Sequence, residues 1–204
     1  MLSTEEEERI WSRAIAFLEQ GRPRDLEHTR SAVANGKILL ANEGGDPREV
    51  IPTLILHDVG WSCVDFSDFI DAPAEAKRDV DSVHLHMRLG ARIASDILRD
   101  LRWDVKAIQR ITSIIAVHDI PEKVLALDDL NATLVFEADW LDKYVPARQE
   151  RYFRVDRDPS SLKEIKAYLE TNKTRWFRTR TARELLGRIM SGGERVGPLH
   201  VGSM

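Results

Sequence analysis

His57 and Asp58 stand side by side at the end of the apolar run Ile51–Leu56. On a helix advancing roughly 100° per residue, Asp58 prolongs the stripe of Ile51, Leu54 and Ile55, and His57 prolongs Val50 and Leu54. Two polar side chains directed into a core require polar partners or a metal ion. Taken alone, the pair reads equally well as structural, with the imidazole hydrogen-bonded and the carboxylate capping a loop. His118 behaves in the same way, three residues beyond the Ile108, Ile111 and Ile115 stripe; a lone histidine there also reads as a satisfied core residue. Asp139 follows Leu134, Val135 and Ala138 on an apolar face, as a functional acid or a buried pairing partner.

His84 and His86 lie about 200° apart on their helix and cannot share a face. The core stripe Gly90, Ile93, Ala94, Ile97 and Leu101 projects back to within about 40° of His86 but about 120° from His84. His86 is therefore the expected interior residue, and His84 a flanking one. His28, in the first turn or so of its helix, has a weaker phase and also reads as a surface residue. Along the chain, His28, His57, His86, His118 and Asp139 are separated by 29, 29, 32 and 21 residues. Each interval equals about one helix plus a connection. Successive antiparallel helices can bring such residues together in a bundle core.

The elements that must position them are helical throughout, and no convincing alternating strand pattern occurs. The expected fold class is all-α: a helical bundle with a short helical C-terminal extension. A first helix is expected over Thr4–Gln20, with Thr4 and Glu7 as a capping box, and a second from Asp25 to Asn42. A third starts with Asp46 as cap and Pro47 at the first helical position. Residues 62–73 read as a loop. Helices then follow over 74–101, 104–118 and 130–144, with Pro121 as a terminator. Residues 1–24 are expected to pack on a 25–145 domain. Residues 146–204 form a linker to Pro159, a helical region from Ser161 to Met190 broken near 171–179, and a mobile Gly-rich tail.

Composition limits the function. The 204 residues carry 30 Lys plus Arg against 34 Asp plus Glu, a net charge of −4, which does not favour nucleic acid as a partner. Between Ser161 and Met190, eight Lys and Arg face three Glu, with Trp176 and Phe177 among them. That segment reads either as a steering patch or as a solvated amphipathic helix with its aromatics on the core. The single cysteine, Cys63, excludes an intrachain disulfide and a thiolate metal cluster. The acidic start lacks the pattern of a signal peptide, and no apolar run approaches a membrane span. A cytoplasmic protein with no membrane partner is expected, and a homo-oligomer is left open. Neither His-Glu-x-x-His nor Glu-x-x-His occurs, which argues against a zincin protease and a ferritin-like carboxylate protein.

Taken in order, Glu27-His28-Thr29-Arg30, Leu56-His57-Asp58-Val59-Gly60, His86-Met87-Arg88-Leu89-Gly90-Ala91, Ile114-Ile115-Ala116-Val117-His118 and Glu137-Ala138-Asp139-Trp140-Leu141-Asp142 resemble the H…HD…H…H…D pattern. That is the pattern of the HD superfamily of metal-dependent phosphohydrolases, and the resemblance spans residues 25 to 145. It implies one metal ion on His28, His57, Asp58 and Asp139. His86 and His118 match the additional histidines of two-metal members, in which Asp58 would bridge. The nitrogen and oxygen donors suit Fe, Mn, Co, Ni or Zn better than Mg or Ca. The implied activity is hydrolysis of a small phosphorylated substrate, with a nucleotide as the foremost class, and Asp58, His86 and His118 as catalytic residues. Many relatives carry a lysine after HD-x-G where this chain has Trp61. Other cations would then have to meet a phosphate, and Arg30, Lys37, Arg88 and Arg110 are the candidates. The same framework also serves dinuclear iron oxygenases such as myo-inositol oxygenase, and a catalytically silent ligand-binding module is a third reading.

Overall fold

The computed structural model describes residues 1–72, 76, 79–145 and 159–191. Every regular element among them is helical and no strand occurs, so the fold is all-α. No helix among the described residues is long and apolar enough to cross a membrane. α1 spans Thr4–Gln20, α2 Asp25–Glu43 and α3 Pro47–Leu56, followed by a 3₁₀ turn, Val59–Cys63, and the short α4, Ser67–Asp71. α5 covers Asp81–Asp100, α6 Val105–Ile115, α7 Pro121–Ala126 and α8 Leu130–Lys143; α9, Pro159–Trp176, and α10, Arg180–Met190, complete the described chain.

Local chemistry sets the boundaries. The capping box of α1 lies one residue before the expected Thr4–Glu7 pair: the Glu6 N–H donates to Ser3 Oγ at 3.2 Å, and the Ser3 N–H donates to the Glu6 carboxylate at 2.9 Å. Glu6 is further held by Arg48 at 2.7 Å, which favours that register. Asp46 caps α3 by accepting the Arg48 N–H at 2.8 Å, and Asp104 and Asp129 cap α6 and α8 in the same way. α5 starts at Asp81 rather than at residue 74, where Asp68 of α4 accepts the Ser82 N–H at 3.1 Å and satisfies its first turn. Pro121, read as a terminator, instead opens α7 from a first-turn position. Of the expected linker and tail, residues 146–158 and 192–204 lie outside the described residues.

α8 is buried all round: each residue from Ala132 to Asp142 is inside. It packs against α2, α3, α7 and α10, while α3 and α5 both lean on α6. The C-terminal pair covers α8, with Trp176 on Trp140 at 4.7 Å and Phe177 on Tyr144 at 5.4 Å between ring centroids. Buried Glu137 anchors the break between them, accepting the Arg178 N–H at 2.5 Å, the Thr179 N–H at 2.9 Å and the Thr179 hydroxyl at 2.5 Å. The aromatics of this segment therefore serve the core, and Arg175, Arg178, Arg180 and Arg183 stay exposed.

The 3₁₀ turn lies directly on α5. A Cβ at Gly60 would stand 2.0 Å from the His86 carbonyl oxygen and 2.6 Å from the Gly90 nitrogen, so only glycine permits this approach. Because the obstacle is backbone, Gly60→Ala is expected to destabilise the fold by about 3 kcal/mol, the upper end of ordinary overpacking. Urea denaturation of the two proteins measures this, and an unchanged midpoint would contradict the packing described.

Candidate metal centre

Five separate parts of the fold deliver His28 (α2), His57 and Asp58 (the end of α3), His86 (α5), His118 (just after α6) and Asp139 (α8) to one place. None of the six is more than 2% exposed. α3 stops at Leu56, and Asp58 takes φ −102° and ψ 2°, so the chain turns and two adjacent side chains can both face inward. His86 is fully buried, whereas His84 on the same helix is exposed, as its phase requires.

Three of the imidazoles have fixed orientations. His57 Nδ1 lies 2.7 Å from the Leu54 carbonyl oxygen and His118 Nδ1 lies 2.8 Å from that of Ile115. Since a carbonyl can only accept, each Nδ1 carries the proton. His28 Nδ1 meets the Asp142 carboxylate at 2.9 Å, to which Ser31 Oγ also donates at 2.6 Å. In the neutral rings all three Nε2 lone pairs therefore point into the cluster, and their partners are of the kind that orients metal-binding histidines.

The inward atoms fall into two groups that share Asp58. In the first, Asp58 Oδ2 lies 3.6 Å from His28 Nε2 and 3.3 Å from His57 Nε2. Those two nitrogens are 3.2 Å apart, and Asp139 Oδ1 stands 2.8 and 3.6 Å from them. In the second, Asp58 Oδ1 lies 3.7 Å from His86 Nε2 and 3.5 Å from His118 Nε2, with Asp119 Oδ2 at 3.5 and 3.9 Å from the same nitrogens. Two facing lone pairs at 3.2 Å repel unless they share a cation, either a proton or a metal ion. Among the described residues, His118 Nε2 and both nitrogens of His86 are buried without a hydrogen-bond partner. Orphaned donors of this kind, converging with carboxylates, are what a metal ion would satisfy. The residues therefore fit a metal centre, which these buried groups could hold.

Surrounding charges complete it. Lys143 donates to Asp119 Oδ1 at 2.7 Å and to Asp139 Oδ2 at 3.3 Å. Arg22 donates to Asp58 Oδ2 at 2.7 Å, and the Trp61 indole N–H donates to Asp58 Oδ1 at 3.1 Å. Trp61 stacks on His86 with ring centroids 3.9 Å apart and planes 13° from parallel. Burial pushes the His86 pKa down to about 3, so its ring stays neutral. Burial also opposes the charged form of His28, but the Asp139 and Asp142 carboxylates outweigh it and raise its pKa to about 9. His57 is raised in the same sense: burial lowers it, and Asp58 and Asp139 more than compensate. Burial disfavours the carboxylates of Asp58 and Asp139 too, yet the adjoining cations and imidazoles hold both well below the usual range.

Arg22, Asp119, Asp142 and Lys143 were not marked out by the sequence pattern. Asp119 had a signal, since His118-Asp119 repeats the His57-Asp58 dipeptide. The four cations expected to meet a phosphate are placed elsewhere. Lys37 pairs with Glu7, Arg110 with Glu49 and Asp129, and Arg30 and Arg88 are exposed. Comparison with known proteins finds no match: no family model, curated protein or solved structure matches the chain significantly.

Two outcomes follow from this geometry. With its pKa at about 9, His28 carries a proton at pH 7 in the metal-free fold, and a metal ligand must give that proton up. Metal binding should therefore release protons, and apparent affinity should rise with pH until about pH 9. Calorimetry in buffers of different ionisation enthalpy tests this, and binding without proton release would contradict it. Secondly, Asp58→Ala should abolish metal binding by both groups, and His86→Ala should weaken only one, whereas His84→Ala should leave metal content unchanged. Elemental analysis of the purified variants checks all three, and full occupancy in Asp58→Ala would exclude a shared carboxylate.

Proposed function

We propose that this chain is a metal-dependent phosphohydrolase of the HD superfamily, using one or two first-row transition-metal ions on a small phosphorylated substrate, with nucleotides as the foremost class. The observation that carries this reading is the placement of Asp58, whose two oxygens face two separate sets of buried histidines. The order His28, His57-Asp58, His86, His118, Asp139 supports the superfamily reading.

A divalent ion held there would supply Lewis acidity and would lower the pKa of water towards ~7. The chain's own residues account for the remainder. The Nδ1 partners of His28, His57 and His118 keep the three Nε2 atoms directed inward, so the rings need little reorientation on binding once His28 and His57 have given up their Nε2 protons. Lys143 holds Asp119 and Asp139 by the oxygens turned away from the histidines, which leaves the other oxygens facing in. The Trp61–His86 stack closes one side of the centre against water. Neutral His86, between Asp58 and Asp119, can orient a polar oxygen at its Nε2.

Incubation with a panel of nucleotides in the presence of Mn, Co, Ni or Fe is expected to release inorganic phosphate, and Asp58→Ala should reduce the rate by roughly a thousandfold or more, as loss of a core catalytic group does. If no nucleotide or other phosphoester is hydrolysed with any of these ions, and the reduced iron form consumes O₂ in the presence of a substrate, the oxygenase reading takes its place.

A further inference from the structure

Among the described residues two cations touch the cluster, and they touch it differently. Lys143 binds Asp119 through Oδ1 and Asp139 through Oδ2. The histidines face the opposite oxygens of those carboxylates, Oδ2 of Asp119 and Oδ1 of Asp139. The ammonium therefore lies behind the carboxylates and steadies them. Arg22 instead donates from Nη2 to Asp58 Oδ2 at 2.7 Å, the same oxygen that faces His28 Nε2 and His57 Nε2. Its guanidinium reaches the inward side of the carboxylate.

Arg22 is also held rigidly. Its Nε–H donates to Asp25 Oδ1 at 3.1 Å and its backbone N–H donates to Asp25 Oδ2 at 2.8 Å, and Asp25 is completely buried. Its guanidinium carbon lies 4.2 Å from the centroid of the Trp61 ring. One edge is thus pinned by a carboxylate and one face is supported by an indole, an arrangement that leaves little rotamer freedom to lose on binding. The side chain keeps 11% exposure while Asp58 keeps 2%, so it lies between the buried cluster and solvent.

We propose that Arg22 is the anion receptor of this centre: its guanidinium binds the phosphate oxygens of a substrate held against Asp58, with Asp25 and Trp61 as positioning residues. This rests on the hydrolase reading and adds the group that binds the substrate's charge. Nη2 also pairs with Asp25 Oδ1 at 3.1 Å, so Asp25 would keep the guanidinium in place while its contact with Asp58 Oδ2, loosened where that oxygen shared its charge with a metal ion, gave way to an arriving anion. A planar guanidinium suits phosphate because its N–H groups match two oxygens at once.

The test is calorimetric titration of the full-length, Mn-loaded protein with inorganic phosphate, with metal content measured in parallel. Arg22→Gln is expected to keep its metal and to weaken phosphate binding by roughly tenfold or more, the loss of one charge-assisted contact. Arg22→Lys keeps the charge without the stacked fork and should bind with intermediate affinity; it also serves if the glutamine variant fails to fold. Unchanged phosphate affinity in both variants overturns the proposal, as does loss of metal in step with loss of phosphate, which would make Arg22 a support for Asp58 alone. No phosphate binding by the wild-type protein overturns it as well. Phosphate binding that depends on Arg22, in a protein that hydrolyses no phosphoester, upholds the receptor and refutes the hydrolase reading. Hydrolysis with an Arg22→Gln KM equal to wild type does the reverse.

Discussion

The carboxylate of Asp58 lies within 3.7 Å of four imidazole nitrogens and is hydrogen-bonded by a guanidinium and an indole N–H, at 2% exposure. A buried anion is costly unless charge and hydrogen bonds surround it. Here they come from α2, the end of α3, the 3₁₀ turn, α5, the turn after α6 and the loop before α2. Moving any of these elements would leave charge uncompensated, so this one group constrains the relative placement of most of the bundle.

The packing around it follows. The turn carrying Asp58 must lie close enough to α5 for Trp61 to stack on His86, and Gly60 makes that approach possible. α8 runs through the middle because Asp139 and Asp142 have to reach His28 from one side, while Glu137 holds the C-terminal helices on the other. Five carboxylates, Asp25, Asp58, Asp119, Asp139 and Asp142, crowd this region with only Arg22 and Lys143 as permanent cations among the described residues. Protonated His28 and His57 supply the remaining positive charge in the metal-free fold. A divalent ion could replace those protons, which couples metal binding to both pH and stability.

Much of this was legible in the sequence where a regular helix carries the residue. His86 was separated from His84 by phase alone, because α5 is amphipathic and unbroken through that stretch. The all-α class followed from the same periodicity. What periodicity could not reveal lies where helices end. Arg22 sits in the Gly21–Pro23 break, Asp119 in the turn beyond α6, and the angle between His57 and Asp58 is set after α3 has stopped. Lys143 and Asp142 lie at the end of a helix buried on every side, where phase carries no information about direction. Arg30, Lys37, Arg88 and Arg110 lie on the surface, two of them paired with carboxylates of neighbouring elements, and such pairing is not visible in a sequence.

The most direct test of a shared carboxylate between two metal groups is anomalous diffraction from crystals grown with Mn or Co. A shared Asp58 predicts anomalous density on its Oδ2 side, among His28, His57 and Asp139, and a second peak on its Oδ1 side, among His86, His118 and Asp119, when both groups are filled. No peak at either position under saturating metal would contradict it and would leave the cluster as a buried proton-sharing network.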